Sequence, residues 1–329
     1  MKKTLCALMV LVIFMALASC VLGGNASATE GLSYAMRTDG TYEVTGIGTA
    51  TDLDIVIPSS YEGVSVSAIK SGAFSGCFNI KSVRIADGIK YIGASAFSAC
   101  TALTDVTLPG TLEELGDDAF LGCTSLDFAE YNGGRYIGSK SNPYLALISA
   151  KGTDITACTV KPDTRFISSR AFYLCKSLQS VDIPQSVKSI GYGAFSGCFK
   201  LKSISLTGDI EEIKDETFTG CSSLESITLP ETVKRIGNSA FMSCTALKSV
   251  SLPKAITEIG VSAFSGCSSL LEIYIPAGVQ SVGSHAFSAC PSLVRVECGL
   301  NALHDGFAED FLGDSKAELV LGVQTIPLS

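Results

Sequence analysis

Tryptophan is absent from the 329 residues, and histidine occurs only twice, at His285 and His304. Two imidazoles leave little with which to build a Ser/His/Asp or Cys/His nucleophilic site. No C-x-x-C spacing occurs, and zinc needs such convergent ligands. G-x-S-x-G, H-E-x-x-H and G-x-x-x-x-G-K are missing as well, so acyl transfer, zinc proteolysis and phosphate cradling find no platform. Basic residues are in deficit, 24 Lys and Arg against 32 Asp and Glu, for a net charge of −8. That argues against nucleic acid, which requires a basic face. Beyond the N-terminus no apolar run is long enough to span a bilayer. The expectation is a chain with no catalytic residues, no cofactor and no metal. The carboxylate pairs Glu113-Glu114, Asp117-Asp118 and Glu211-Glu212 read as solvated turns.

What is present is a repeat. Cys77, Cys100, Cys123, Cys175, Cys198, Cys221, Cys244, Cys267 and Cys290 share a step of 23 residues, apart from one gap. An Ala-Phe pair keeps the same step, with Phe74, Phe97, Phe120, Phe172, Phe195, Phe218, Phe241, Phe264 and Phe287. A length of 329 residues would ordinarily suggest two domains, but a fixed period of this size means stacked supersecondary units.

The unit from Cys221 to Phe241 is CSSLESITLPETVKRIGNSAF. Ile227 and Leu229 alternate with Ser226 and Thr228, which predicts a half-buried strand ended by Pro230. Val233 and Ile236 form a second short apolar pair, and Gly237 suits a left-handed or tight turn. Residues 238–244 are too few for a stable α-helix and fit one helical or 3₁₀ turn that swings Phe241 inward. One unit cannot bury its own apolar side, whereas a stack of units does. The fold class expected is therefore a repeat solenoid: a right-handed, mainly β coil with parallel strands and short 3₁₀ or helical turns. Roughly ten coils at a strand spacing of about 4.8 Å would span on the order of 50 Å.

This motif resembles the BspA-type leucine-rich repeat of surface proteins in bacteria and some mucosal protists, over about residues 53–326. The resemblance implies export, a place at the cell surface, and adhesion to a host or envelope partner.

In chain order, Lys2 and Lys3 precede an apolar run from Leu5 to Leu17, the layout of a signal peptide over residues 1–19. Leu17-Ala18-Ser19-Cys20 resembles a bacterial lipobox, in which Cys20 would carry a lipid anchor to the membrane. Ordinary cleavage after Ala26-Ser27-Ala28, giving a secreted protein, is the competing reading. Residues 20–31 read as a tether and 32–76 as an N-terminal cap coil closed by Tyr34 and Tyr42. The array occupies 77–298 and the C-terminal cap 299–329. Phe120 and Phe172 lie 52 residues apart, 29 beyond one period. The excess falls at about 127–154, where runs at 135–138 and 144–149 flank the turn-rich Ser139-Lys140-Ser141-Asn142-Pro143, predicting an inserted β-hairpin.

Thirteen cysteines in an exported chain suggest disulfides, yet nine share one equivalent position. Parallel inward side chains rarely offer the required dihedral, so buried thiols are expected. Cys158 and Cys298 take inward positions filled elsewhere by Val181 and Ile275.

The outward strand positions carry mostly Ser and Thr in the middle coils, Ser203, Ser205, Ser226, Thr228, Ser249 and Ser251. Variation gathers in the C-terminal coils, at Leu271, Tyr274, Arg295 and Glu297. Tyr and Arg are enriched at interface hot spots, so these four, with Tyr136 and Tyr144 of the hairpin, form the candidate partner-binding set. The function expected is a non-catalytic binding or adhesion module for an unidentified host or envelope protein, with no nucleic acid partner. The rival is a structural spacer or coat lipoprotein without a specific ligand.

Overall fold

A typical 23-residue step lays down two short strands and one turn, each stacked on its counterpart in the next step, although residues 249–251 form no strand and break the first ladder. A computed structural model describes residues 27–299 and 307–323. They form a β-solenoid of about 12 turns with parallel strands. No helix occurs among the described residues. The signal segment with Cys20, His304 and the last six residues lie outside them.

The first ladder includes Ser203–Ser205 paired with Ser226–Thr228, and Glu272–Ile275 paired with Arg295–Gly299. Ile204 pairs with Ile227, a step of one period. Ile227 and Leu229 are buried while Ser226 and Thr228 are exposed, because successive strand side chains point to opposite faces. The second ladder runs through Glu212–Ile213, Arg235–Ile236, Glu258–Ile259 and Ser281–Val282.

The turn differs from the helical turn expected at 238–244. Ser239 and Ser243 have φ of 54° and 61°, and left-handed residues at such short intervals break a helix. They split the backbone donors into two sets. Ala240, Met242 and Cys244 donate back to Gly237, Ser239 and Phe241, whereas Ser239, Phe241 and Ser243 donate forward to Val261, Ala263 and Ser265 of the next coil. The turn is thus a third ladder, and its buried polar groups are paired along the stack.

Gly237 is needed for another reason than the one its turn suggests. Its φ is not positive, but a Cβ there would lie 2.5 Å from the Asp215 nitrogen in the preceding coil. Gly191, Gly260 and Gly283 stand equally close to the coil before them, at 2.3, 2.6 and 2.4 Å. The glycine column sets how closely successive coils approach.

Inside, Phe172, Phe195, Phe218, Phe241, Phe264 and Phe287 stack with centroids 5.0–5.5 Å apart and planes within 11°. Phe311, one residue late, meets Phe287 edge-on at 6.3 Å and 81°. The eleven cysteines among the described residues are unbridged. Their thiols do more than fill space: Cys221 Sγ donates to the Phe195 carbonyl at 3.2 Å, and Cys198, Cys244, Cys267 and Cys290 repeat that contact one coil at a time. Burial pushes the Cys221 thiol up to about 12 and that of Cys175 to about 11.

The stack is interrupted once. Residues 127–154 hold three antiparallel strands rather than two: Ala129–Tyr131, Gly134–Ile137 and Ala146–Ala150. Asn132 and Gly133, at φ 38° and 88°, make the tight turn between the first pair. Ala146–Ala150 then joins the second ladder against Phe166–Ile167. These strands form a wall with a core on each side. Ile137, Ala146 and Phe166 pack into the N-terminal core, whereas Tyr136, Leu147 and Ile167 pack into the C-terminal one. A cavity of about 220 Å³ remains at this seam, between Phe120 and Ser168–Arg170.

Polar side chains brace the seam from outside. Asp117 accepts from Ser169 Oγ at 2.7 Å, from the Tyr192 nitrogen at 3.1 Å and from Lys214 Nζ at 2.9 Å. Asp118 pairs with Arg170 at 2.9 Å. Both aspartates, expected as solvated turn residues, therefore tie coils on opposite sides of the insertion. Burial alone would raise the Asp117 carboxyl, but the Lys214 charge and its hydrogen bonds hold it below the usual carboxylate range. Lys214 occupies the column position that Gly191 and Gly237 fill on either side.

At the N-terminal end Ser33–Met36 and Tyr42–Gly46 pair antiparallel, and the latter joins the second ladder through Val64–Ile69. Tyr34 stacks on Tyr61 at 4.0 Å, with Tyr42 edge-on to both.

Candidate functional site

The C-terminal coils carry the surface that departs most from the Ser/Thr ladder. Glu272–Ile275, Arg295–Gly299 and Glu318–Val323 pair in parallel, so Glu272, Arg295 and Glu318 make one outward row and Tyr274, Glu297 and Val320 the next. Charge alternates along the first row. Arg295 Nε also meets Glu297 Oε1 at 2.9 Å, which holds the guanidinium across both rows. Such an exposed pair contributes at most about 1 kcal/mol to stability.

Leu271 is 54% exposed and Val294 65% exposed, and the two lie side by side, with the Val294 nitrogen donating to the Leu271 carbonyl at 2.9 Å. One and two periods before Leu271 stand Lys248 and Glu225, which pair with each other at 2.7 Å. The same surface row thus changes from a charge pair to an apolar pair. Val294 escaped the sequence reading, although it lies one period beyond Leu271. Tyr274 is half-buried on the strand that follows Leu271, and its hydroxyl lies near Gly299, 2.8 Å from where a Cβ would stand.

The hairpin residues do not join this surface. Tyr136 is fully buried, with its hydroxyl accepting from the Lys161 nitrogen at 3.2 Å, so it belongs to the core and not to a partner-binding face. Its position between two strands of the wall puts its ring into the C-terminal core. Tyr144 is half-buried, edge-on to Tyr136 at 5.5 Å, and Lys161 Nζ lies over the rings of Tyr131 and Tyr144 at 4.4 and 5.1 Å. At about 4.8 Å per coil, the hairpin and the Leu271 surface stand on the order of 30 Å apart.

Titratable groups do not converge on a reaction centre here. His285 is exposed in its turn and pairs with Asp310 at 3.1 Å. Among the described residues no group of three or more His, Cys, Asp or Glu is placed to hold a metal ion. No helix among them is long and apolar enough to cross a membrane.

Comparison with known proteins matches residues 54–142 and 164–294 to the model of the BspA type leucine rich repeat region, in six copies. No curated protein matches. Among solved structures, a T. pallidum leucine rich repeat protein is 26% identical, covering 68% of this chain and 92% of its own, with a TM-score of 0.39. A leucine rich cell surface protein from Faecalibacterium prausnitzii is 22% identical, covering 92% and 96%, with a TM-score of 0.35. The pneumococcal vaccine antigen PcpA is 17% identical, covering 91% and 84%, with a TM-score of 0.39.

Proposed function

The chain belongs to the BspA-type leucine-rich-repeat family, and from that premise we propose that it is an exported cell-surface module that binds a partner protein through its C-terminal sheet face. The observation that carries this reading is the exposed Leu271–Val294 pair, on coils that also carry Tyr274, Arg295 and Glu297 outward. An apolar centre with an aromatic neighbour and a charged rim is how protein interfaces are arranged. The backbone beneath is paired on successive coils, so little ordering entropy opposes binding. The module is non-catalytic, and it is anchored through a lipid on Cys20.

The test uses the full chain displayed on beads against detergent-solubilised envelope proteins and against host-cell surface proteins. Saturable capture of one protein, weakened at least about tenfold by Leu271→Asp with Val294→Asp, supports the reading. Capture that both substitutions leave unchanged rejects the surface. Absence of any saturable partner favours the structural spacer, for which the uniform Ser/Thr ladder would suffice. Metabolic labelling with palmitate, present in the wild type and lost in Cys20→Ala, checks the anchor separately.

A further inference from the structure

A cleft lies toward the other end of the array, beside the inserted hairpin. The chain entering the hairpin turn continues the first ladder: Gly138 bridges Thr107 in parallel, and the Leu108 nitrogen donates to the Gly138 carbonyl at 2.9 Å. The turn is held by Ser139 N to the Asn142 carbonyl at 2.9 Å and by Asn142 Nδ2 to the Asp163 carbonyl at 3.0 Å. Between this turn and the outward side of three coils, the cleft measures about 580 Å³. That volume suits a small ligand.

Two cations line the cleft, Arg84 from the ladder and Lys140 from the hairpin tip. Neither has an ion-pair partner among the described residues, whereas Lys90, Arg170, Lys214 and Arg235 are each paired with carboxylates. In a chain of net charge −8, two unpaired cations facing one cavity point to an anionic ligand. The Asp87 carboxylate, also in the lining, is already engaged by the Gly110 nitrogen at 2.7 Å. Ser59 and Thr107 present hydroxyls, and Pro58 with the outward-facing Val56 supplies an apolar floor.

We propose that this cleft binds a carboxylated sugar, of uronic or sialic acid type, with Arg84 and Lys140 on the carboxylate and the Ser59 and Thr107 hydroxyls on the ring hydroxyls. Three features favour this over an acidic peptide and over neutral sugars. The strands beneath are paired to their neighbours, Asp54–Ile57 to Ser82–Ile85 to Asp105–Thr107, so an extended acidic peptide finds no open edge to join. The lining contains no aromatic ring on which a neutral sugar would stack. A guanidinium matches a planar carboxylate through two parallel hydrogen bonds, whereas short hydroxyls and an apolar floor match the two faces of a pyranose.

Titration calorimetry on the full chain tests this with N-acetylneuraminic acid and glucuronic acid, each free and at the end of an oligosaccharide. Neutral lactose and a hexaglutamate peptide serve as controls. Expected is binding of at least one acidic sugar, weakened about tenfold or more by Arg84→Gln and again by Lys140→Gln, with unchanged thermal melting. The free sugar and the oligosaccharide separate recognition of a terminal unit from recognition of a chain. Hexaglutamate binding as tightly as the sugars, binding that Arg84→Gln leaves intact, or no sugar binding at millimolar concentration would each overturn the proposal. Leu271→Asp should leave sugar binding unchanged, which keeps this site independent of the C-terminal surface.

Discussion

Between Phe172 and Phe287 the Phe and Cys columns pass unbroken from layer to layer, whereas between Phe120 and Phe172 the layers are bridged by foreign strands. In the regular stretch Phe195, Phe218, Phe241 and Phe264 each have a parallel ring on both sides, the thiols from Cys198 to Cys290 each have the Phe carbonyl one coil back, and Gly191, Gly237 and Gly260 let neighbouring turns close up. At the seam none of the three columns continues. Phe120 stacks only on Phe97. Cys175 reaches the Gly152 carbonyl at a long 3.7 Å, and the cohesion passes to Asp117 and Asp118 on the surface. A repeat array is stabilised by nearest-neighbour contact, so one altered layer is where two cores meet.

Truncating a ring should separate the two regions most. Phe218→Ala removes a ring stacked on both sides at 5.3 Å and is expected to cost about 3–5 kcal/mol. Phe120→Ala should cost roughly 1 kcal/mol less, because its ring has one stacked neighbour and already borders a cavity. Denaturant midpoints measured on both variants decide this, and equal losses would erase the distinction between stack and seam.

The glycine column gives the next largest contrast. Gly237→Ala forces a Cβ to within 2.5 Å of backbone and should destabilise by about 1–3 kcal/mol. Lys214→Ala, in the same column, keeps a Cβ that the seam already accommodates and loses an ion pair worth less than about 1 kcal/mol. A thermal shift as large for Lys214→Ala as for Gly237→Ala would show that spacing is not set by the glycines.

Cysteine substitutions should differ in the same sense. Cys221→Ala leaves the Phe195 carbonyl without its thiol donor and is expected to cost about 1 kcal/mol beyond the lost packing, more than Cys175→Ala with its long contact. In alkylation at pH 8, half-buried Cys77 should react before Cys221, whose buried thiol is pushed up to about 12. Earlier reaction at Cys221 would mean that the regular stack opens before its end does.

The smallest effect is in pH. The Asp117 carboxyl is held below its ordinary value in the folded chain, so its bond to Lys214 stabilises fully above about pH 4 and is lost as pH falls through the folded value. Melting temperature measured from pH 6 to pH 3 should fall less steeply in Asp117→Asn than in the wild type. Identical slopes would remove Asp117 from the seam's account.

The repeat could be read from the chain because each column reports itself every 23 residues: Phe by size, Cys by rarity, and Ile227 against Thr228 by alternation. The C-terminal surface was legible for the same reason, since Leu271 and Arg295 break a row whose other members are visible. Tyr136 was misplaced because an insertion has no repeat to give its register, and a one-residue shift turns a strand's side chains to the opposite face. The Asn132-Gly133 turn was present as a signal and marks the strand pair that was missed. Left-handed Ser239 and Ser243 left no signal, because serine is ordinary in either conformation of a turn.

What this sequence determined by itself is the layer: which residues point inward, and that equal steps along the chain become equal layers in space. Periodicity encodes burial directly, since one side chain must meet its own copy in the next coil. Only the tertiary structure decided how layers close on each other and where they fail to. That depends on residues with no common period being brought together, such as Asp117 with Lys214 in a hydrogen bond and Arg84 with Lys140 in the lining of one cleft. Those pairs are brought together by the stack and the wall inserted in it, and nothing in their separation along the chain announces them.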